Sequence, residues 1–417
     1  MTKPPMLTAG QALDHLLSHA KPVGESETVA MQAALGRILA DDVHSLVDVP
    51  PLDNTSMDGY AVRTADTLTP GSILKIAQRI PAGSIGTQLE PGTAARIFTG
   101  APVPPGADAV VMQEDCTVPE GLTDQVQIHI APISGQWIRK RGEDLTAGKT
   151  ALTAGTFLRP QELGVAASAG LTHLNVKRKV KVAAFFTGDE LSLPGEPLKP
   201  GGIYNSNRDT LLACIQALGC EATDLGIVPD NLEATKAALR KASIGHDLII
   251  TSGGVSVGEE DHIKPAVTAE GRLDLWQIAI KPGKPLAFGA VRKSEALNGG
   301  SVEAETWFIG LPGNPVSSFV TFLLFVRPFI LKLQGRDTSP PQSYPMRADF
   351  DWLKADRRNE FLRVKINAQG GLDVFQNQSS GVLTSASWGD GLVDCPPGHT
   401  FQSGDLVKYI PFNALLS

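Results

Sequence analysis

The stretch from residue 247 to residue 261 most constrains what this chain can fold into. Residues 248–250 are a short apolar run with β-branched content, which predicts a strand that is buried on both faces of a sheet. The run ends at Ser252-Gly253-Gly254, where two residues without a Cβ allow a sharp turn that brings backbone amides close to a ligand. Residues 259–261 then place three carboxylates beside this turn. Such amides and carboxylates suit a phosphate with its Mg²⁺, whereas the plainer alternative is a strand-to-helix loop with an acidic helix start.

Two later stretches favour the phosphate ligand. Lys281-Pro282-Gly283-Lys284-Pro285 follows a strand candidate at residues 273–280, and its prolines stiffen a loop that displays two ammonium groups. Gly310-Leu311-Pro312-Gly313-Asn314-Pro315 follows another apolar run; Asn314 can cap the next helix, with Pro315 at its first position and free amides beside it. Loops at the carboxyl ends of strands meet at one edge of an open α/β sheet. We therefore predict a phosphate-bearing ligand at this edge.

These motifs together resemble the molybdopterin molybdenumtransferase family, which includes the gephyrin E-domain. The resemblance covers nearly the whole chain. Asn54-Thr55-Ser56-Met57-Asp58-Gly59-Tyr60-Ala61-Val62 is similar to a family signature in which the aspartate at the Asp58 position belongs to the active site. Thr99-Gly100-Ala101 matches a family loop that lines the substrate cleft, and residues 357–363 and 379–383 match the C-terminal signatures of the family.

The chain pattern predicts an α/β multidomain protein, since 417 residues are too many for a single core. Residues 179–333 follow the order βαβαβ, which predicts a doubly wound unit that resembles the molybdopterin-binding domain of the family. Pro-Gly turns between short strands predict a β-rich insert domain at residues 51–141, and residues 346–417 predict a small C-terminal β-barrel. The resemblance assigns residues 1–50 and 142–178 to one discontinuous, elongated N-terminal linker domain.

Composition restricts the partners and the compartment. The net charge of −7 argues against a nucleic-acid partner, because no basic surplus is available to replace counterions. The four cysteines are scattered without a Cys-x-x-Cys pair, which fits a reducing compartment. The first residues lack the apolar core of a signal peptide, and the apolar run 319–326 is too short to span a bilayer. We expect a cytoplasmic protein without membrane contact.

The resemblance also implies the reaction. It implies that adenylylated molybdopterin and molybdate are the substrates, that molybdenum is placed on the dithiolene sulfurs, and that AMP is released. It further implies a homodimer with a shared active site, with the adenylyltransferase that supplies the substrate as a further partner, and a Mg²⁺ ion held by Asp261, Glu190 and Asp230. The residues expected to act in catalysis are Asp58, Thr99, Glu190, Asp230, Asp261, Lys281 and Lys284. The residues expected to contact substrate are Ser252, Gly253, Gly254, Ser256, Pro312, Gly313, Asn314, Pro315 and Arg358.

One departure and two alternative functions follow from the same residues. Many family members carry a lysine where this chain has Gln277, so one cationic contact with the oxyanion is missing here. ATP-dependent adenylylation of molybdopterin is an alternative activity, but it needs only the block at residues 179–333, which is less than half of the chain. A non-catalytic scaffold is the other alternative; it is disfavoured because no long disordered linker is present in the sequence.

Overall fold

A computed structural model of the chain describes residues 6–255, 262–293 and 305–416. The chain separates into two compact units. The first, which we call the main unit, consists of Met1–Ser26 and Lys177–Ser417, and the second, the insert unit, consists of Glu27–Val176. The four predicted domains do not simply subdivide these units, because the predicted linker domain at residues 1–50 and 142–178 has its first 26 residues in the main unit.

The helices of the described residues are α1 (Ala9–His19), α2 (Pro160–Ser168), α3 (Ser206–Ala217), α4 (Leu232–Ser243), α5 (Ile263–Glu270), α6 (Pro315–Thr321), α7 (Arg327–Gln334), α8 (Thr384–Trp388) and α9 (Phe412–Leu415). The strands up to the end of the insert unit are β1 (Ser26–Ala30), β2 (Val43–His44), β3 (Asn54–Thr55), β4 (Gly59–Val62), β5 (Ser72–Ile80), β6 (Thr93–Ile97), β7 (Ala109–Met112), β8 (Cys116–Thr117), β9 (Gln125–Ile128), β10 (Ile138–Arg139), β11 (Thr150–Leu152) and β12 (His173–Lys177). The later strands, all in the main unit, are β13 (Lys181–Thr187), β14 (Leu191–Ser192), β15 (Ile203–Tyr204), β16 (Glu221–Val228), β17 (Leu248–Ser252), β18 (Gly271–Gln277), β19 (Ile280–Lys281), β20 (Pro285–Arg292), β21 (Glu305–Leu311), β22 (Tyr344–Arg347), β23 (Asn359–Ile366), β24 (Leu372–Val374), β25 (Gly391–Cys395) and β26 (Leu406–Pro411).

The centre of the main unit is a six-stranded sheet in the order β16-β13-β17-β21-β20-β18. The first four strands are parallel, and β20 and β18 are antiparallel to their neighbours. Alternate residues of β13 face opposite cores: Val182 and Phe186 pack with α1, α3 and α7, whereas Ala183 and Phe185 pack with α4 and α5. Because both faces are covered, the central strands are continuously apolar, as the sequence predicted for residues 248–250.

The N-terminal residues belong to the main unit. Thr8 caps α1 through a reciprocal capping box with Gln11. Just before it, the Leu7 amide donates to the Gln277 carbonyl (2.9 Å), and the Ala279 amide donates to the Leu7 carbonyl (2.8 Å). The first described residues therefore add a short ladder beside the segment that leads into the lysine-containing loop.

A continuous helical stretch begins at Pro315, passes through a π-helical turn at Phe322–Val326, and ends at Gln334. Among the described residues, it is the one stretch that is long and apolar enough to cross a membrane, with a mean hydropathy of 1.7. However, 83% of this stretch is buried inside the chain's own fold, as is common for the core helix of a soluble protein.

The C-terminal part of the main unit is a nearly closed β-sheet. Its strands follow the order β19-β23-β25-β26-β22, with β24 paired to β23. A bridge between Ala348, just after β22, and Leu372 in β24 brings the two ends of this sheet together, in agreement with the predicted small barrel. The strand β19 comes from the lysine loop, because Ile280 pairs with Asn359 and Lys281 with Glu360. This pairing ties the lysine loop to the barrel.

The insert unit contains a six-stranded sheet in the order β7-β4-β6-β5-β9-β8. The central strand β4 pairs with β6 on one side and β7 on the other, and its four residues are all buried. Alternate β4 residues enter two apolar clusters, Tyr60 and Val62 in one and Ala61 in the other. The sheet therefore holds the segment around Asp58 in a fixed register.

Candidate functional site

The main unit contains a large cleft of about 1140 Å³ at the carboxyl ends of its parallel strands. The ends of β13, β17 and β21 are level with one another, since Phe186 pairs with Ser252 and Ser252 with Leu311. Twelve predicted site residues line this cleft: Glu190, Asp230, Ser252, Gly253, Gly254, Lys281, Lys284, Pro312, Gly313, Asn314, Pro315 and Arg358. The structure therefore gathers the three predicted loops at one site.

Two glycines form the tight turn after β17. Gly253 has a φ of 99°, and a Cβ there would lie 2.6 Å from the Thr187 carbonyl oxygen. Gly254 has a φ of 64°, and its Cβ would lie 2.6 Å from Cγ1 of Ile263. Any larger residue would meet both backbone strain and a steric clash, so glycine is required at both positions. The close approach keeps the loop backbone against the end of β13.

Ser252 and Asn207 connect two of these loops. The Ser252 hydroxyl donates to the Pro312 carbonyl (2.9 Å), and Asn207 Nδ2 donates to both Ser252 Oγ (2.8 Å) and the Gly313 carbonyl (2.7 Å). Asn207 lies in the first turn of α3, whose N-cap is Asn205. The sequence did not predict the role of Asn207. The only signal was polar residues directly after a strand, a pattern that also describes an ordinary cap.

The loop before α6 has the predicted Pro315 at the helix start and Asn314 at the N-cap position. The predicted side-chain cap is wrong, because the Asn314 side chain makes no capping hydrogen bond. Instead its main-chain carbonyl accepts from the Ser318 amide (2.9 Å). The Asn314 amide group, which lines the cleft, therefore does not serve the helix. The neighbouring Val316 amide donates to the Ser380 carbonyl (3.0 Å), which joins this loop to the barrel.

Lys281 is held in a network of charges from the barrel. Its Nζ lies 2.7 Å from Glu360 Oε1 and 3.6 Å from Asp356 Oδ2. Glu360 is only 2% exposed and also accepts from Trp352 Nε1 (2.9 Å). Arg358 donates two side-chain hydrogen bonds to Asp356, which hold the pKa of this carboxyl well below its ordinary value. The two cations and two carboxylates balance each other in charge.

Lys284 has a different environment. It is half-buried in the cleft wall, and its main-chain carbonyl accepts from the Ile278 amide (2.8 Å). Within residues 6–255, 262–293 and 305–416, no carboxylate lies in ion-pair contact with its ammonium group. Gly283, beside it, has a φ of 107°, and a Cβ there would lie 2.3 Å from Thr321 Oγ1. The loop therefore packs closely on the helical stretch and presents Lys284 as a cation without a carboxylate partner among the described residues.

The carboxylates proposed as metal ligands are only partly described. Glu190 and Asp230 both line the cleft, whereas Asp261 and the substrate-contacting candidate Ser256 lie outside the described residues. The described part of the chain holds no group of three His, Cys, Asp or Glu side chains that could bind a metal ion. The Glu190 carboxylate folds back over Gly188, where a Cβ would lie 2.7 Å from Oε2. Two oxygen donors of the kind that Mg²⁺ prefers are thus present at the cleft.

Arg363 supports the wall of the cleft from behind. It is 1% exposed and donates to Ser385 Oγ (3.1 Å) and to the carbonyls of Phe361 (3.2 Å) and Ser379 (3.4 Å). Burial lowers its pKa to about 10. Gln378 accepts from the Arg363 amide (2.9 Å) and, with Ser379, lines the cleft. The sequence motif contained Arg363, but the burial that distinguishes it from Arg358 was not visible there.

Asp58 and Thr99 form a second predicted group, in the insert unit. Asp58 Oδ1 accepts from both the amide and the hydroxyl of Thr99, each at 2.7 Å. The hydroxyl bond from Thr99 is the main reason that the pKa of Asp58 is lowered from its ordinary value. The carboxylate is therefore ionised and fixed in orientation, although its segment and that of Thr99 are forty-one residues apart.

Three family models match successive segments that together cover most of the chain. Residues 7–170 match the model for the MoeA N-terminal region (domains I and II). Residues 183–332 match a probable molybdopterin-binding domain, and residues 345–412 match the MoeA C-terminal region (domain IV). A molybdopterin molybdenumtransferase from Haemophilus influenzae is 41% identical over 373 residues, which cover 88% of this chain and 89% of that protein. Another, from Nostoc sp., is 36% identical over 401 residues, 93% of this chain and 89% of that protein.

Solved structures agree over the whole chain. A molybdopterin biosynthesis MoeA protein from Pyrococcus horikoshii has a TM-score of 0.83 at 27% identity, covering 98% of this chain and 100% of the other. A second structure from the same organism has a TM-score of 0.77 at 31% identity, covering 98% and 99%. The fold and the cleft define a multidomain α/β protein with a molybdopterin-binding type of domain and a C-terminal barrel. The chain belongs to the molybdopterin molybdenumtransferase family, and its relatives are transferases.

Proposed function

We propose that this chain transfers molybdenum from molybdate to adenylylated molybdopterin, with release of AMP. The observation that carries the proposal is the cleft, where glycine turns, Lys284 and barrel residues line one cavity of about 1140 Å³, and no described carboxylate pairs with Lys284. Cavities of roughly 300–1,000 Å³ hold drug-sized ligands, so this cleft has room for a nucleotide-linked pterin. A polar, strand-end cleft of this type suits an anionic ligand.

The described residues support distinct tasks in this reaction. Lys284 would neutralise charge on a phosphate or on molybdate, because it is the cation in the described cleft wall without a carboxylate partner. Lys281 and Arg358 would hold the barrel side of the cleft in place, with their charge directed toward Glu360 and Asp356. Ser252 and Asn207 would fix the loop that bears Gly313. Asp58 would act as an ionised group oriented by Thr99.

Magnesium belongs to the proposal and is supported by the chemistry of the side chains. Glu190 and Asp230 offer oxygen ligands at the cleft, and Asp261 would be the third ligand. When bound, Mg²⁺ would supply charge neutralisation at phosphate oxygens. We expect these residues to hold the cation beside the substrate phosphates, while Lys284 acts on the anionic side.

We further propose that the active enzyme is a cytoplasmic homodimer whose active sites are shared between chains. The adenylyltransferase that makes adenylylated molybdopterin would be its supplier and partner. Support for the shared site comes from the two groups of residues: Asp58 and Thr99 belong to the insert unit, and the cleft residues belong to the main unit.

The test supplies adenylylated molybdopterin, molybdate and Mg²⁺ to the purified protein and measures AMP by chromatography. We expect AMP release that depends on molybdate and that stops when a chelator removes the cation. An Asp230→Asn variant should lose turnover, because it removes one of the carboxylates proposed as metal ligands at the cleft.

The same preparation separates the alternatives. Formation of adenylylated molybdopterin from ATP and molybdopterin, without molybdate-dependent AMP release, would support the adenylyltransferase instead. Absence of both activities in a folded protein would support the scaffold. The barrel and the insert unit favour the molybdenumtransferase, because adenylylation would need only the doubly wound domain.

A further inference from the structure

Arg96 lies directly beside the Asp58–Thr99 pair and has no role in the proposed reaction. It belongs to β6, where it pairs with Tyr60 of β4. Arg96 is half-buried in the same sheet that carries both partners of the pair. Its contacts form an independent support for the Asp58 carboxylate.

The Arg96 guanidinium donates in two directions. Nη1 donates to the Gly59 carbonyl (3.1 Å), and Nη2 donates to Gln113 Oε1 (2.6 Å). The main-chain amide of the same residue, Gln113, donates to the main-chain carbonyl of Asp58 (3.0 Å). The Arg96 side chain therefore restrains the Gly59 carbonyl directly and the Asp58 carbonyl indirectly, through Gln113.

The same guanidinium packs against two aromatic rings. Its central carbon lies 5.1 Å from the Tyr60 ring centroid and 4.8 Å from that of Phe98. Tyr60 follows the Asp58-Gly59 turn, and Phe98 precedes Thr99, so Arg96 connects both segments of the pair. A planar guanidinium provides two ring contacts and a fork of hydrogen bonds at once, which a lysine ammonium does not.

The backbone around Asp58 leaves no space for adjustment. A Cβ on Gly59 would lie 1.9 Å from the Val111 carbonyl oxygen, so the turn is pressed against β7. With one side of the turn fixed by β7 and the other by Arg96, the direction of the Asp58 side chain is determined before any ligand binds.

We propose that Arg96 is a positioning residue that orients the Asp58 carboxylate toward substrate through the Asp58–Thr99 pair. This inference rests on the proposed function, in which Asp58 takes part in the reaction. Arg96 itself contacts no substrate; its effect passes through the main chain of residues 58 and 59 and through the Phe98–Thr99 segment.

Four single variants, including Asp58→Ala, and one double variant test the proposal by steady-state kinetics of AMP release. We expect Arg96→Met and Arg96→Lys to lower kcat by roughly 10- to 100-fold, as for a small misplacement of a reacting group, with KM for molybdate unchanged. Arg79→Met is the matched control, because Arg79 also packs on Phe98 (4.6 Å). The control should keep wild-type kcat.

The double variant Arg96→Met/Asp58→Ala distinguishes positioning from a general structural role. If Arg96 acts through Asp58, the double variant is no slower than Asp58→Ala alone. Additive losses, or equal losses in Arg79→Met, would overturn the proposal. A wild-type rate in Asp58→Ala would also overturn it, while molybdate-dependent AMP release by the unchanged protein would still support the proposed function.

A measurement without turnover completes the test. Hydrogen exchange at the Thr99 amide, which donates to Asp58, should be faster in Arg96→Met than in the wild type and unchanged in Arg79→Met. Unchanged exchange in Arg96→Met would show that the pair is held without Arg96. This result would reject the inference even if the protein had a different activity.

Discussion

Lys281 and Lys284 lie three positions apart in one loop but differ in what balances their charge. Lys281 lies between the buried Glu360 and the Asp356–Arg358 pair, so its ammonium is already partnered before a ligand arrives. Lys284 has no such carboxylate in the part of the chain that the structure describes. Since an anion gains most from an unneutralised cation, the two lysines should respond differently to substitution.

We expect Lys284→Gln to weaken binding of molybdate or of the adenylylated pterin by about ten- to a hundredfold, which corresponds to roughly 1.5–3 kcal/mol for a charged hydrogen bond. Its thermal unfolding should be unchanged, because this ammonium supports no carboxylate in the described structure. The measurement is KM for each substrate together with a melting curve. Lys284→Arg serves as the control that keeps the charge.

The converse result is expected for Lys281→Met. This change leaves the Glu360 carboxylate buried without its cation, and the melting temperature should fall. Adding Glu360→Gln should restore much of the lost stability, because the amide needs no counter-charge. If Lys281→Met melted like the wild type and only lost affinity, Lys281 would have to be the substrate-binding cation instead.

The residue types in these loops could be predicted from sequence, but their partners could not. Glycines, lysines and the Pro-Gly-Asn-Pro turn were recognisable because backbone geometry restricts those positions to few residues. Glu360, which neutralises Lys281, is seventy-nine residues away and reaches it only through the barrel. The roles of Asn207 and Arg363 could not be predicted for the same reason, because both residues contact loops that are distant in the sequence and meet only in the folded chain.

At the level of elements, the two ends of the parallel strands in the central sheet have different roles. The carboxyl ends of the strands line the cleft, whereas Asp247 connects the amino ends of two strands. The Asp247 carboxylate accepts from Arg178 (2.7 Å and 2.8 Å) and from the Lys181 amide (2.8 Å). Its amide donates to the Lys181 carbonyl (2.9 Å), so this residue joins the starts of β13 and β17.

Asp247→Asn should therefore reduce stability without changing substrate binding. Burial alone would raise the pKa of Asp247. The hydrogen bonds from the Arg178 side chain and the Lys181 amide lower the pKa by more, so the pKa in the folded protein lies below the ordinary value. A depressed pKa contributes stability above the unfolded value of about 3.9 and loses it as pH falls through the folded value. Urea unfolding should show a deficit of roughly 1.5–3 kcal/mol at neutral pH.

The deficit should begin to shrink as the pH falls below the unfolded value of about 3.9, and it should disappear once the pH has passed below the lowered pKa of Asp247, where the wild-type carboxyl is protonated as well. KM for molybdate should equal that of the wild type at neutral pH. A deficit that stayed constant with pH would mean that the Asp247 charge is not what stabilises this end of the sheet.

The element pattern was predictable where local signals were strong. The strand at residues 248–250 follows from its apolar run, and the helix start at Pro315 follows from the position of its proline. The antiparallel pair β18 and β20 and the pairing of Leu7 beside Gln277 were not foreseen. Strand partners depend on contacts that are distant in sequence, and a single residue such as Leu7 carries no periodic signal.

At the scale of the whole molecule, the residues expected to act in the reaction are divided between the two units. The division of the insert unit into a linker domain and a β-rich domain stays a prediction. Asp58 and Thr99 are in the insert unit, while Asp230 and the lysines line the cleft of the main unit. If both groups act in one reaction, a twofold dimer could supply them from different chains, twice by symmetry.

A mixture of two defective variants tests this arrangement. Asp58→Ala and Asp230→Ala chains, each expected to keep only a small residual activity alone, are unfolded together, refolded, and assayed for AMP release. In a shared-site dimer, each mixed pair has one active site with both defects and one with neither. Random pairing makes about half of the dimers mixed, so activity should recover to roughly a quarter of the wild-type value. If every site were built from a single chain, all sites would carry one defect, and an inactive mixture with mixed dimers confirmed by mass would refute the shared site.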